Sequence, residues 1–238
     1  GPIALAGNLA LATAEALAVI AVAQTLHPGL PVIFGLQCYG ADLRSGNIAI
    51  GSPAYARQAQ AGARLARYYR LPSRGGGAVT DARSVDVQAA SESMLAIFAA
   101  AAADIDLIVH AAGILESFGA VSMEKFVLDL EMIRMVEEAL APIPDATDDD
   151  LALDVIRTVG PGGQFLTHMD TVRKCRTHSW NPTVALRGAL PEGRAPAAQL
   201  AANLQTQKWK MLAAYTAPAM DPGIRRDIEN FLIRRAGV

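Results

Sequence analysis

His110 closes the apolar run Asp106-Leu107-Ile108-Val109-His110-Ala111-Ala112, and Glu116 follows six residues later. An imidazole and a carboxylate after a buried strand can serve as an acid–base pair. A histidine there is also commonly a satisfied core side chain, and a helix cap would account for Glu116; both readings stay open. Glu116 stands among small apolar neighbours, where a carboxylate needs a partner. Polar groups gather at three further places: Gly7-Asn8, the stretch carrying Gln37, Cys38, Tyr39, Asp42 and Arg44, and the segment Arg74–Asp81 with Gly75-Gly76-Gly77. The glycines lack the GxxxxGK[ST] and GxGxxG spacings, so they do not read as a nucleotide cradle. They either admit a ligand or a neighbouring strand, or form a bulge. His168 and His178 lack companions at metal-ligand spacing, so no metal site is expected, and Cys175 is expected as a buried thiol.

These places come together if each ends a strand of a parallel α/β fold, because ligands bind where the carboxyl ends of the strands and the following loops converge. Four apolar runs followed by helical patterns fit that picture: Gly1–Gly7 with Asn8 as helix cap, Leu30–Leu36, Leu71–Arg74 entering the glycines, and Asp106–Ala112. The helices between them are expected to end near His27-Pro28-Gly29, to run from the Ser52-Pro53 cap to about Tyr69, and to cover about Val85–Ala103 and Ser122–Leu140. In the last of these, Phe126, Leu130, Ile133 and Leu140 recur at helical spacing and predict its buried face. Four such units fit either a doubly wound sheet or half of an eight-fold barrel. From Ala141 the character changes. Pro142, Pro144 and Asp148-Asp149-Asp150 mark a boundary, and helices over about Leu151–Val159, Ala195–Tyr215 and Asp221–Arg235 suggest a helical extension over 146–238 beside the βα part, 1–145.

Composition narrows the function. A net charge of −2 and no run of four basic residues argue against nucleic-acid binding. The two cysteines are far apart and outside any CxxC spacing, so a disulfide framework is not indicated and a reducing cytoplasm is expected. Leu9–Leu26 is interrupted by Thr13, Glu15 and Gln24 and owes much of its apolar character to alanine, so a buried helix is expected there rather than a membrane span.

Several segments carry a resemblance. Gly1–Gly7, Gly51-Ser52-Pro53-Ala54-Tyr55, Leu71–Gly77 with Thr80-Asp81-Ala82, His110–Ser117, Glu124–Asp129, and Leu153–Ile156 leading into Gly160-Pro161-Gly162-Gly163 resemble the trimethylamine methyltransferase family, in order and over almost the whole chain. The resemblance implies a (β/α)8 TIM-barrel fold of which this chain carries about the last four βα units plus a helical C-terminal extension. It also implies methyl transfer from a tertiary or quaternary amine to the cobalt of a separate corrinoid protein, with no cofactor bound directly. Founding members carry pyrrolysine, close to the region matched by Gly75–Asp81. This chain has standard residues there, which points to the branch without pyrrolysine, some of which act on betaines.

Such a transfer is an in-line displacement, and a quaternary ammonium has no proton to lose. The protein's task is then positioning and electrostatics. The resemblance thus nominates His110, Glu116 and Asp81 as catalytic, and Arg74, Gly75, Gly76, Tyr39, Phe118 and Arg44 as substrate-binding: aromatic faces and carboxylates for the cation, Arg74, Arg44 or His110 for a betaine carboxylate. The expected partners are the corrinoid protein and a small methylated amine, with a homo-oligomer also open. Two other classes remain: an inactive fragment or binding module, and a barrel lyase using His110 and Glu116.

Overall fold

A computed structural model describes residues 1–36, 38–143, 145–189, 192–193 and 195–236; Gln37 and Pro144 lie outside them. Where a first strand was expected at Gly1–Gly7, helix α1 runs Leu5–Leu26, entered from Ala4 with no side-chain cap, so Asn8 caps nothing. The residues from Ala4 to Ala12 include no β-branched side chain, and alanine and leucine are strong helix formers. The helix is long and apolar enough to cross a membrane by length and composition. It is not the buried helix expected, since Thr13 is its one buried residue.

Three parallel strands follow in sequence order among the described residues: β1 (Phe34–Gly35), β2 (Ser73–Gly76) and β3 (Leu107–Val109). Phe34 pairs with Ser73, Gly35 with Arg74, Arg74 with Leu107 and Gly76 with Val109. Helices α2 (Pro53–Tyr68), α3 (Val87–Ala102) and α4 (Met123–Leu140) connect and follow them. Each consecutive pair from α1 to α4 is in contact. The register separates two faces of the sheet. Phe34 is buried and meets the ring of Tyr69 at 5.7 Å on the helix side, whereas a side chain at Gly35 would run into that of Arg74 on the other side.

Alanine explains the close packing. Ala63, Ala100 and Ala103 pack with Ile105 between helices and sheet, and Ala78 packs with Ile97 and Val136. Gly75 belongs to the same layer, since a Cβ there would meet the Ile105 side chain at 2.6 Å. On α4 the expected face is only partly covered: Phe126, Leu130 and Ile133 are half-buried, with Ile133 packed beside Val136. The buried residues are Lys125, Val127, Asp129, Glu131, Met132 and Val136, and Leu140 is exposed. Polar partners on neighbouring elements draw charged side chains inward there, which an apolar period does not register.

A short antiparallel hairpin, β4 (Ile114–Leu115) with β5 (Ala120–Val121), stands between β3 and α4. Beyond α4, the acidic run forms α5 (Asp148–Leu151), opened by a capping box between Thr147 and Asp150. Ala152, at φ 49°, breaks it from α6 (Leu153–Val159), which falls within the helix expected over about Leu151–Val159, whereas α5 is an added helix on the acidic run read as a boundary. Then come α7 (Met169–Lys174), α8 (Pro196–Ala214) and α9 (Pro222–Ala236). The Glu131 carboxylate gathers the backbone N–H groups of Thr183, Val184 and Ala185 and the Thr183 hydroxyl, and Val184 packs with Val127 and Leu204. That contact seats the segment before α8 on α4.

Candidate active site

At the carboxyl end of the sheet, side chains from four elements meet. Tyr55, in the first turn of α2, reaches over β2 so that its hydroxyl occupies the space a side chain at Gly76 would need. Tyr39 stacks on it, with ring centroids 6.0 Å apart and planes 16° from parallel. Phe118 meets Tyr39 edge-on at 6.1 Å, and the His110 imidazole meets Phe118 at 5.0 Å. Burial pushes the Tyr55 phenol up to about 12, although the Arg74 charge and the Gly76 backbone pull the other way. Burial raises Tyr39 as well, again opposed by Arg74. Both phenols therefore stay neutral and present electron-rich ring faces.

A hydrogen-bonded clamp braces this cluster. The Asp81 carboxylate accepts from the Ile50 N–H at 3.1 Å, the Gly51 N–H at 3.0 Å and the Ser117 hydroxyl at 2.6 Å. Behind it, Glu92 of α3 accepts from the Thr80 hydroxyl at 2.6 Å and the Asp81 N–H at 2.8 Å. Gly51 leaves the room that this carboxylate fills; a Cβ there would collide with it. The clamp holds an unusual turn: Glu116, Ser117 and Phe118 all have positive φ, at 52°, 52° and 76°. L-residues in the left-handed region cost about 1–2 kcal/mol each. Backbone bonds from Glu116 N–H to Ala82 and from Ser117 N–H to Thr80 complete the restraint. His110 also sits at φ 52°, turning the chain as it leaves β3.

Below the turn lies a buried ion pair. Lys125 and Asp129, both fully buried on α4, meet at 2.6 Å. The Lys125 ammonium also donates to the Ser93 hydroxyl at 2.7 Å and the Ala78 carbonyl, and Asp129 accepts the Gly113 N–H at 2.8 Å. Desolvation lowers the Lys125 pKa and raises that of Asp129, each opposed by the charge of the other. The pair thus ties α3, the segment after the glycines and the loop after β3 together. That sets the spacing of the strand ends.

Comparison with known proteins identifies the lineage. The description "Trimethylamine methyltransferase (MTTB)" matches residues 1–237. The chain belongs to the trimethylamine methyltransferase family. It is 39% identical over 235 residues to a glycine betaine methyltransferase of Desulfitobacterium hafniense (strain Y51), covering 99% of this chain and 49% of that protein. It is 35% identical to the trimethylamine methyltransferase MttB of D. hafniense (strain DSM 10664 / DCB-2), over 76% of this chain and 36% of the relative. It is 33% identical to MttB2 of Methanosarcina mazei, over 96% and 46%. The chain spans about half the length of the curated relatives it matches.

Within this family member, Tyr39, His110 and Phe118 stand together, and Arg74, two residues before Gly76 on β2, points to the sheet face that the Tyr55 hydroxyl covers. Asp81 has both carboxylate oxygens engaged in the clamp. Glu116 is exposed and lines a cavity of about 630 Å³ with Asp42, Asp81 and Arg83. Among the described residues no hydrogen bond joins it to His110. Gly76 makes room for Tyr55, whereas Gly75 faces Ile105, away from the cluster. Arg44 lies in an exposed turn where its N–H bonds Asp42, and the structure does not bring it to the aromatic group. Asn8 lies along α1, lining a second cavity that Tyr39 also lines. Cys175 is exposed, against expectation, and His168 caps α7 by accepting the Asp170 N–H. Sequence reasoning missed Tyr55, Glu92, Ser117 and the Lys125–Asp129 pair. Two signals were present: a tyrosine just inside a helix start after a strand loop, and Lys and Asp at i,i+4 on a mostly apolar helix.

Proposed function

We propose that this chain supplies the C-terminal half of a (β/α)8 barrel that moves a methyl group from a quaternary or tertiary amine to a corrinoid carried by a partner protein. Two features of the fold support the barrel. The parallel strands keep sequence order, and consecutive helices lie beside one another, whereas a doubly wound sheet reverses its order at a switch point. On this reading residues 1–145 form the barrel part and 146–238 the extension docked on α4. The remaining barrel elements would cover α1 and the open edges of β1 and β3.

The observation that carries the chemistry is the aromatic group Tyr39, Tyr55, Phe118 and His110 at the strand ends, on the sheet face to which Arg74 points. Stacked and edge-on rings attract a cation that cannot donate a hydrogen bond, which is the problem a quaternary ammonium poses. Arg74 offers a betaine carboxylate a charged donor. A quaternary ammonium has no proton to remove, so toward that substrate His110 acts as a further ring wall, and Asp81 as a brace. Glu116, exposed on the same turn as Phe118, favours the cation side of a zwitterion. The partner's reduced corrinoid would supply the cobalt and the electron pair that take the methyl group, while the N–CH3 bond breaks and the demethylated amine leaves with that bond's pair. The chain's part is to hold the ammonium so that one methyl is presented to that partner.

Demethylation of a panel of betaines and methylamines in the presence of a reduced corrinoid protein tests this reading. Methylcobalamin formation with at least one, abolished by a Tyr39→Ala and Phe118→Ala double variant, is the expected result. No transfer from any member of the panel would overturn it.

A further inference from the structure

The left-handed turn Glu116–Phe118 places a large aromatic side chain in the cluster from a backbone that has little reason to stay there. Its neighbours show what keeps it. The hydroxyl of Ser117, one residue before Phe118, donates at 2.6 Å to the same Asp81 carboxylate that holds the N–H groups of Ile50 and Gly51. Ile50 is fully buried and packs with Tyr55 and Val79, and Tyr39 packs against that group. One carboxylate thus joins the loop that carries Phe118 to the loop that leads into Tyr55.

We propose that Asp81 and Ser117 form a latch that fixes the distance between the Phe118 and Tyr55 walls of the cation site, with Glu92 as its seat. This rests on the amine-binding reading given above and names positioning residues for it. Glu92 fixes the Asp81 backbone through the Asp81 N–H and the adjacent Thr80 hydroxyl, and Gly51 leaves space for it. With the latch closed, Phe118 meets Tyr39 and His110 together. With it open, the turn is free to relax to negative φ and carry the ring out of contact.

The test uses two substitutions. Ser117→Ala removes the hydroxyl and keeps the strained backbone, whereas Ser117→Gly removes the hydroxyl and relieves the strain, so it folds even where the alanine variant does not. Tetramethylammonium is titrated by calorimetry into wild type and each variant, and amide exchange is followed over residues 114–121. The expected result is a Kd raised about fivefold or more with the number of sites unchanged, and exchange of the 116–119 amides at least tenfold faster. A purely structural role would lower the number of competent sites and leave Kd as it was, and that outcome overturns the latch. Unchanged exchange in both variants overturns it as well, whatever the titration shows. Should wild type bind no tetramethylammonium, the amine reading fails, and the exchange arm alone decides whether Ser117 holds the turn.

Discussion

Lys125 and Asp129 meet at 2.6 Å with neither side chain exposed, and between them they bond Ser93, Ala78 and Gly113. Removing one partner leaves the other charge buried and unpaired, which costs about 3–5 kcal/mol. Lys125→Met and Asp129→Leu are each expected to lower the urea midpoint strongly, and the double variant to lose less than the sum. Strict additivity in that cycle would show that the pair is not coupled.

Glu131 accepts three consecutive backbone N–H groups and one hydroxyl. Burial raises its carboxyl, but the bonds from Thr183, Ala185 and Val184 outweigh this and hold it below its ordinary value. Glu131→Ala would orphan those donors at about 1–3 kcal/mol each, less whatever water recovers. Limited proteolysis is expected to cut near 183–189 in the variant well before α4 unfolds. Equal rates at that site in wild type and variant would contradict the docking role.

Glu124 and Lys208 pair at 2.6 Å and link α4 to α8. The Lys208 contact, with help from the Glu124 backbone and Gln205, depresses the Glu124 carboxyl to about 2. Its folded pKa lies below the unfolded one, so its stabilisation is present above about pH 4.5 and is lost as pH falls towards 2. Because the pair is partly exposed, the contribution is held to about 0.2–1 kcal/mol. Exchange of the α8 amides is expected to quicken over that window, and Glu124→Gln to flatten the dependence.

Gly51→Ala places a methyl where the Glu92 carboxylate sits. The expected outcome is displacement of Glu92, a drop in stability of about 1–3 kcal/mol and weaker quaternary-ammonium binding, measured by thermal unfolding and titration. A variant as stable as wild type with intact binding would remove Glu92 from the support of Asp81.

The sheet and its flanking helices were legible because they rest on local signals. The Ser52-Pro53 start, the Ser122 cap and the apolar run ending in His110 each mark an element the structure contains. Gly1–Gly7 misled because small apolar residues fit a strand end and a helix start alike, and alanine decided for the helix. Of the candidate site's side chains, Tyr39, His110 and Phe118 could be named from position and resemblance. Glu92, Ser117 and Tyr55 could not, since what matters about them is contact across 12 to 36 residues of chain or the filling of a glycine's space. No periodicity encodes that.

At Glu116, Ser117 and Phe118 the backbone conformation is one glycine adopts freely. Glycine there would recover about 1 kcal/mol at a position, so a thermostabilising design would begin with Glu116→Gly. The three side chains present instead set a floor under their own worth. Whatever they contribute to recognition has to exceed what a more relaxed turn would return in melting temperature, and substituting them singly measures that exchange rate between robustness and selectivity.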